Sequence, residues 1–149
     1  MNPSSTTSIQ QLVIKRLYQT DPEKLYDALT VPEIMNKWFY GTANGRANFI
    51  GEPKVGADYT AEMYHESGES SVCADYAPHG KYLELERPKK IVFTWISEGF
   101  VDDSIVTIEL RAVDGQTELT LTHELPAESV TPHTEGWNNC LNHLAELFS

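Results

Sequence analysis

The chain has few basic residues. Its 149 residues include 11 Lys and Arg against 22 Asp and Glu, which gives a formal net charge of −11. The basic residues do not cluster beyond single pairs such as Lys89-Lys90. Because nucleic acids are bound mainly through clustered Lys and Arg side chains that neutralise phosphates, we expect no nucleic-acid partner. The acidic surface also disfavours docking on anionic lipid headgroups.

Long apolar runs are missing as well, and cysteine is scarce. No stretch approaches the roughly 20 apolar residues of a membrane-spanning helix, so we expect no membrane insertion. The opening MNPSSTTS has neither the basic start nor the apolar centre of a signal peptide, which predicts a cytoplasmic protein. The two cysteines, Cys73 and Cys140, are far apart and form no CxxC pattern, so buried thiols are a simpler expectation than a disulfide.

Motifs for catalysis and for metal binding are also absent. The sequence contains no HExxH, no CxxC, no His-x-His and no GxSxG. The glycines of GTANGRANFIG (41–51) precede a short strand instead of opening a helix, so they do not form a phosphate-binding loop. We therefore expect no metal, no cofactor and no catalytic residues, and the sequence gives little support for an enzyme.

The chain is long enough for one domain with a substantial core. Residues 1–8 are predicted to form a flexible tail and residues 9–149 the domain. Ile9–Tyr18 is rich in β-branched residues, which predicts a strand. TDPEKLYDALT then supplies a helix start, with Asp21 as the N-cap before a proline. Pro32 is predicted to begin a second short helix.

The middle of the chain changes to an alternation of apolar and polar residues, which is typical of half-buried strands. Hairpin-length turns separate these strands, and the Asp-Gly pair at 114–115 is a favoured two-residue turn. A bulge is predicted at APHG (77–80), and both Leu83 and Leu85 are predicted on the inner face of the strand that follows. A final helix is predicted from Thr131, which would be its N-cap.

The last helix carries an apolar stripe at helical spacing, formed by Trp137, Leu141, Leu144 and Phe148. It is the only predicted element long enough to cover a sheet that has one apolar face. We therefore expect an α+β fold, in which a curved antiparallel sheet of about six to seven strands wraps around this helix, with two short helices after the first strand. Gly136 beside Trp137 is interpreted as allowing close backbone approach.

Four segments, in this order, resemble those of the START-like helix-grip superfamily, also called SRPBCC or Bet v 1-like. They are LVIKRLYQTDPEKLYDALTVPEIMNKWF, HGKYLELERPKKIVFTWIS, SIVTIELRAVDGQTELTLTHEL and HTEGWNNCLNHL. Within the superfamily, the chain is most similar to the AHSA1-like group, named after the activator of the ninety-kilodalton heat-shock protein's ATPase. The resemblance implies an internal cavity between sheet and helix, where superfamily members bind lipids, sterols, hormones or polyketides. It also implies a possible chaperone contact and a role in stress response.

Inward-facing side chains would line that cavity. The predicted lining comprises Arg16, Trp38, Phe39, Met63, Tyr82, Phe93, Trp95, Val106, Ile108, Leu121, His123, Trp137, Leu141 and Leu144. The same aromatic residues could instead fill an ordinary core, and both interpretations stay open at this point.

Two polar members of this set have alternative roles. An inward Arg16 must be paired: it could bind the carboxylate of a ligand, pair with an internal Glu, or extend its charged group to the rim. His123 shares a strand face with Leu119 and Leu121, where it could anchor a ligand, act as an acid or base, or be a satisfied core histidine. His133 is expected to be a capping or exposed residue in the first turn of the last helix.

Three functions are compatible with these observations. The first is binding of a small apolar or amphipathic molecule, lipid-like or aromatic, in the cavity without covalent chemistry. The second is a cofactor-free enzyme of cyclase or hydrolase type, which uses His123 together with Arg16 or a Tyr to handle a proton or an oxyanion. The third is a chaperone-associated protein that binds through its outer surface. The sequence does not predict the oligomeric state.

Overall fold

The computed structural model describes residues 9–39, 46–64, 77–96, 104–127 and 130–148. These residues form seven β-strands and three α-helices. In chain order they are β1 (Ile9–Tyr18), α1 (Pro22–Thr30), α2 (Pro32–Met35), β2 (Arg46–Gly51), β3 (Asp58–Tyr64), β4 (His79–Glu86), β5 (Lys90–Trp95), β6 (Ser104–Val113), β7 (Gln116–Pro126) and α3 (Val130–Glu146). The predicted tail at residues 1–8 and Cys73 lie outside the described residues.

All seven strands belong to one antiparallel sheet, in the order β1-β7-β6-β5-β4-β3-β2. The sheet curls into a half barrel, and the two short helices follow β1 as predicted. An antiparallel sheet with one apolar face needs a cover, and α3 supplies apolar side chains for it. The predicted α+β, helix-grip fold is confirmed.

Local sequence signals explain several element boundaries. The backbone N–H of Lys24 donates to the Asp21 carboxylate at 2.8 Å, which confirms Asp21 as the N-cap of α1. Between β6 and β7, Asp114 and Gly115 have φ values of 49° and 81°. Positive φ at both central residues gives the turn whose twist matches a hairpin. It fixes the pairing of Val113 with Gln116 and, through it, the register of the two strands.

The bulge in β4 lies further along the chain than predicted. The pairing of β4 with β5 shifts between Tyr82 and Glu84, and the extra residue reverses which side chains point inward. Tyr82 is buried and Leu85 packs on the core, whereas Leu83 is 44% exposed. The prediction that Leu83 faces inward is therefore wrong, because alternation was extended through an irregular strand.

Two predictions about α3 are also wrong. The helix begins at Val130, so Thr131 lies inside the first turn and is not the N-cap. Gly136 allows no close backbone approach, because no heavy atom of the described chain, apart from its own neighbours and helix backbone, lies within 4 Å of the place where a Cβ would stand. Trp137 points inward, and its neighbour is rotated about 100° around the helix axis. Close approach occurs instead at Gly80, where a Cβ would clash with the carbonyl oxygen of Thr94.

Three members of the predicted apolar stripe are buried with α3 against the sheet, whereas the fourth, Phe148, lies beyond the end of the helix and is half-buried. Trp137, Cys140, Leu141 and Leu144 are each at most 4% exposed. Burial raises the pKa of the Cys140 thiol to about 12, so this cysteine is protonated and unreactive at neutral pH. The stripe therefore forms one wall of the interior in which the candidate site lies.

Candidate functional site

An aromatic cluster occupies the space between α3 and strands β2 to β5. Each member is at most 8% exposed, and the centroids of neighbouring rings lie 5.1 to 6.4 Å apart. The cluster consists of Phe39, Phe49, Tyr59, Tyr82, Phe93, Trp95 and Trp137. Such a concentration of flat apolar side chains makes this the most distinctive part of the interior.

Strand alternation places the sheet-borne members of the cluster. Along β5, Phe93 and Trp95 are buried, as alternation on one face requires. Tyr82 of β4 lies directly opposite Phe93. The hydroxyl of Tyr59, on β3, donates to the carbonyl oxygen of Thr94 at 2.6 Å, which links β3 to β5 across the inner edge of β4.

The turn after α2 supplies a further member of the cluster, Phe39, which its neighbour Trp38 holds in place. Trp38 is 1% exposed, and its indole N–H donates to the carbonyl oxygen of Ala28 in α1 at 2.8 Å. This bond holds the turn against α1 and orients the next residue, Phe39. The Phe39 ring stacks on Trp137 of α3, with 5.8 Å between centroids and 22° between planes, and it also contacts Phe49. Phe39 thus connects α3 to the far edge of the sheet.

A polar network at the border of the cluster is fully satisfied by the protein. The indole N–H of Trp137 donates to Nδ1 of His123 at 3.0 Å. Because Nδ1 accepts, the ring proton is on Nε2, which donates to Oγ of Ser104 at 2.8 Å. The Ser104 hydroxyl in turn donates to the carbonyl oxygen of Trp95 at 2.9 Å. Both ring nitrogens of His123 are therefore engaged.

His123 is a neutral histidine in this environment. Its side chain is fully buried, and burial lowers its pKa from 6.5 to about 3, with a smaller contribution from His133. The two imidazole rings meet edge to face, 5.3 Å apart. His133 is 9% exposed, so the prediction of an exposed residue is wrong, while the alternative of a capping residue stays a prediction. The first turn of α3 lies over the sheet, which places His133 inside.

Arg16 is paired within the protein. One guanidinium nitrogen donates to Oδ1 of Asn142 and another to Oδ1 of Asn138, each at 2.8 Å. Two residues further along β1, the hydroxyl of Tyr18 donates to the carbonyl oxygen of Leu141 at 3.1 Å. These three bonds attach β1 to α3. The contacts give Arg16 a structural role, but its partners are the amides of Asn138 and Asn142 and not the predicted Glu.

Sequence comparison identifies the family. The profile described as Activator of Hsp90 ATPase homolog 1-like protein matches residues 19–149. The chain belongs to this family. Comparison with curated proteins gives no significant match. The resemblance inferred from the four segments is therefore confirmed at the level of the family.

Solved structures share the fold of this AHSA1-like chain at low sequence identity. Protein CV1439 from Chromobacterium violaceum is 24% identical with a TM-score of 0.80, and the match covers 93% of this chain and 96% of that protein. CalU16 from Micromonospora echinospora is 21% identical with a TM-score of 0.74, covering 95% and 77%. DynU16, a protein in the dynemicin biosynthetic locus, is 16% identical with a TM-score of 0.72, covering 91% of this chain and 46% of that one. At these identities the likeness establishes the fold alone.

In the AHSA1-like chain, the predicted lining residues come together in the interior. Twelve aliphatic and aromatic members are each at most 8% exposed: Trp38, Phe39, Met63, Tyr82, Phe93, Trp95, Val106, Ile108, Leu121, Trp137, Leu141 and Leu144. His123 joins them, whereas Arg16 is half-buried beside α3. Whether they line a ligand cavity stays a prediction.

Sequence reasoning missed several residues of this interior. Tyr59 and Phe49 belong to the aromatic cluster, and Tyr59 could have been found because it alternates in phase with Met63. Ser104 carried no signal, since its contact with His123 depends on the register of three strands.

The described residues also bear on metals and membranes. They contain no group of three His, Cys, Asp or Glu side chains that could hold a metal ion. No helix in the described ranges combines the length and apolar character needed to cross a membrane.

Proposed function

We propose that this AHSA1-like domain binds a small, largely apolar molecule with a flat aromatic face, held between the sheet and α3 without covalent chemistry. The aromatic cluster is the observation that carries the proposal. Binding sites for small organic molecules are lined mainly by apolar and aromatic side chains with few polar groups, and this half of the interior has that composition.

One hydroxyl in the cluster is available as a polar anchor. Tyr82 is buried, and its hydroxyl makes no hydrogen bond to the described residues. Burial raises its pKa, so the hydroxyl stays protonated and can donate to an acceptor on the ligand. The ligand that best fits is therefore a planar apolar molecule with one oxygen acceptor.

The His123 network argues for binding rather than catalysis. A general base needs a free lone pair within reach of the substrate, and a pKa near the working pH. Nδ1 of His123 already accepts from Trp137, and the lowered pKa makes this imidazole a poor proton acceptor at neutral pH. The alternative of a cyclase or hydrolase built on His123 is thereby disfavoured. A chaperone-associated role stays a prediction that follows from the family alone.

A filling substitution tests the proposal. Ala61 on β3 is 1% exposed and stands opposite Phe49, so Ala61→Phe places a ring where a ligand would lie. The matched control is Ile50→Phe, which adds a ring on the outer face of β2, where Ile50 is 51% exposed. Naringenin, a flavonoid, and a dansyl-labelled fatty acid serve as probes, followed by fluorescence.

We expect wild type and Ile50→Phe to bind naringenin equally, and Ala61→Phe to bind it at least about tenfold more weakly, a loss of about 1.4 kcal/mol. Because overpacking costs stability, circular dichroism and thermal melting check that Ala61→Phe is folded. The proposal is wrong if folded Ala61→Phe binds either probe as tightly as wild type, or if wild type binds neither.

A further inference from the structure

We propose that β1 is a dimerisation edge, at which two copies of the chain pair antiparallel with Val13 on the two-fold axis. The two sheets would then join into one continuous sheet. This interaction is independent of the proposed ligand, because it uses the outer face and the open edge of β1 rather than the interior.

β1 is an edge strand of the sheet, and no strand of the described residues pairs with its free side. It is the last strand of the sheet and pairs with β7 along ten residues, from Ile9 with Pro126 to Tyr18 with Thr117, without a bulge. Natural edge strands are usually short, bulged or interrupted by proline, because an open row of backbone N–H and C=O groups recruits another strand. The opposite edge strand, β2, has six residues and ends at Gly51.

The outer face of β1 carries three exposed aliphatic side chains. Ile9, Val13 and Leu17 are 66%, 51% and 53% exposed. They follow one another at intervals of four residues, so they lie on one face in a row centred on Val13. No other strand of the described chain presents such a row.

The sequence of β1 is complementary to itself in one register. With the two-fold axis at Val13, Ile9 stands opposite Leu17 of the second copy, and on the inner face Leu12 stands opposite Ile14. A shift of the axis to Ile14 would set Val13 against Lys15 instead. Shifts that change the parity would set outer against inner side chains.

Charges match in the same register. The Gln11 amide donates to the carboxylate of Glu124 at 3.4 Å, which leaves its carbonyl oxygen to accept a further bond. Lys15 forms no ion pair within the described residues. In the dimer, Lys15 of one copy stands opposite Gln11 of the other and close to its Glu124. This arrangement occurs twice and offsets the repulsion between two chains of charge −11.

Sedimentation of the full chain tests the dimer. One strand per copy makes an interface at the low end of specific complexes, so the measurement covers about 5 to 500 μM protein. Wild type is expected to pass from monomer to dimer in this range. Val13→Lys sets like charges opposite each other and is expected to stay monomeric. The matched control, Ile50→Lys on the other edge strand, replaces an equally exposed aliphatic residue and is expected to dimerise like wild type.

Crosslinking tests the register. Val13→Cys places two thiols directly opposite each other across the axis and is expected to form an intermolecular disulfide on mild oxidation. Leu17→Cys places the thiols eight residues apart, about 26 Å, and is expected not to. A wild type that is monomeric up to the highest concentration overturns the proposal, as does equal crosslinking of the two variants or a Val13→Lys variant that still dimerises.

Discussion

Acid should destabilise this protein through one histidine, because His123 is neutral in the fold. In the unfolded chain its pKa is about 6.5 and in the folded protein about 3. Between these values the unfolded chain binds the extra proton and the folded protein does not, so the free energy of unfolding falls as pH falls. The stabilisation is fully present above pH 6.5 and is lost as pH drops towards 3. Its slope is about 1.4 kcal/mol per pH unit, and from pH 7 to pH 4 the loss is about 3 kcal/mol.

Urea unfolding at intervals between pH 7 and pH 4 measures this effect. His123→Gln removes the titrating group, so its stability should be lower at pH 7 but should fall less steeply with acid. The difference in slope between wild type and His123→Gln isolates His123 from the carboxylates, which titrate in both proteins. His79→Gln, which makes the same substitution at an exposed residue of β4, serves as the matched control. Equal slopes in wild type and His123→Gln would refute the assignment of a buried neutral imidazole.

Two further predictions concern residues of α3 and β4. Gly136→Ala should stabilise the protein by about 0.5 to 1 kcal/mol, because alanine has the higher helix propensity and the added methyl group meets no described atom. Gly80→Ala should destabilise the protein by about 2 kcal/mol or more, because its methyl group would clash with Thr94. Thermal melting distinguishes the two variants, and a destabilised Gly136→Ala would contradict the open space beside Gly136. Trp137→Phe should cost about 1 to 3 kcal/mol in urea unfolding because Nδ1 of His123 loses its donor, and an unchanged midpoint would show that the hydrogen bond contributes little.

The fold could be predicted because its strands and helices carry regular periods. The Asp-Gly turn fixed the register of β6 and β7, so the inner positions of Val106, Leu121 and His123 followed directly from alternation. Alternation gave one wrong inward side chain in β4, because Pro78 and Gly80 favour a bulge at 77–80 and the irregularity lies between Tyr82 and Glu84. The irregularity instead falls just beyond the residues that pair with β3, while pairing with β5 continues on both sides of it, and local sequence does not encode that position.

The sequence predicted which residues face the interior of the site, but not which of them form hydrogen bonds with one another. Alternation placed His123 inside and suggested three roles for it. The choice among them depends on Ser104 and Trp137, which reach the imidazole from another strand and from α3. Position in a first helical turn suggested an exposed His133, yet the tertiary placement of α3 buries it. Both the role of His123 and the burial of His133 therefore depend on contacts between elements that are distant in sequence.

The three tryptophans allow the most direct test of the central claim, that an apolar ligand binds within the aromatic cluster. Nitrogen-15 NMR gives one indole N–H signal for each of Trp38, Trp95 and Trp137. On titration with naringenin, we predict large shifts for Trp95 and Trp137, which belong to the cluster, and a smaller shift for Trp38, which lies outside the cluster with its N–H directed at α1. Saturable naringenin binding that leaves the Trp95 and Trp137 signals unmoved would contradict the account.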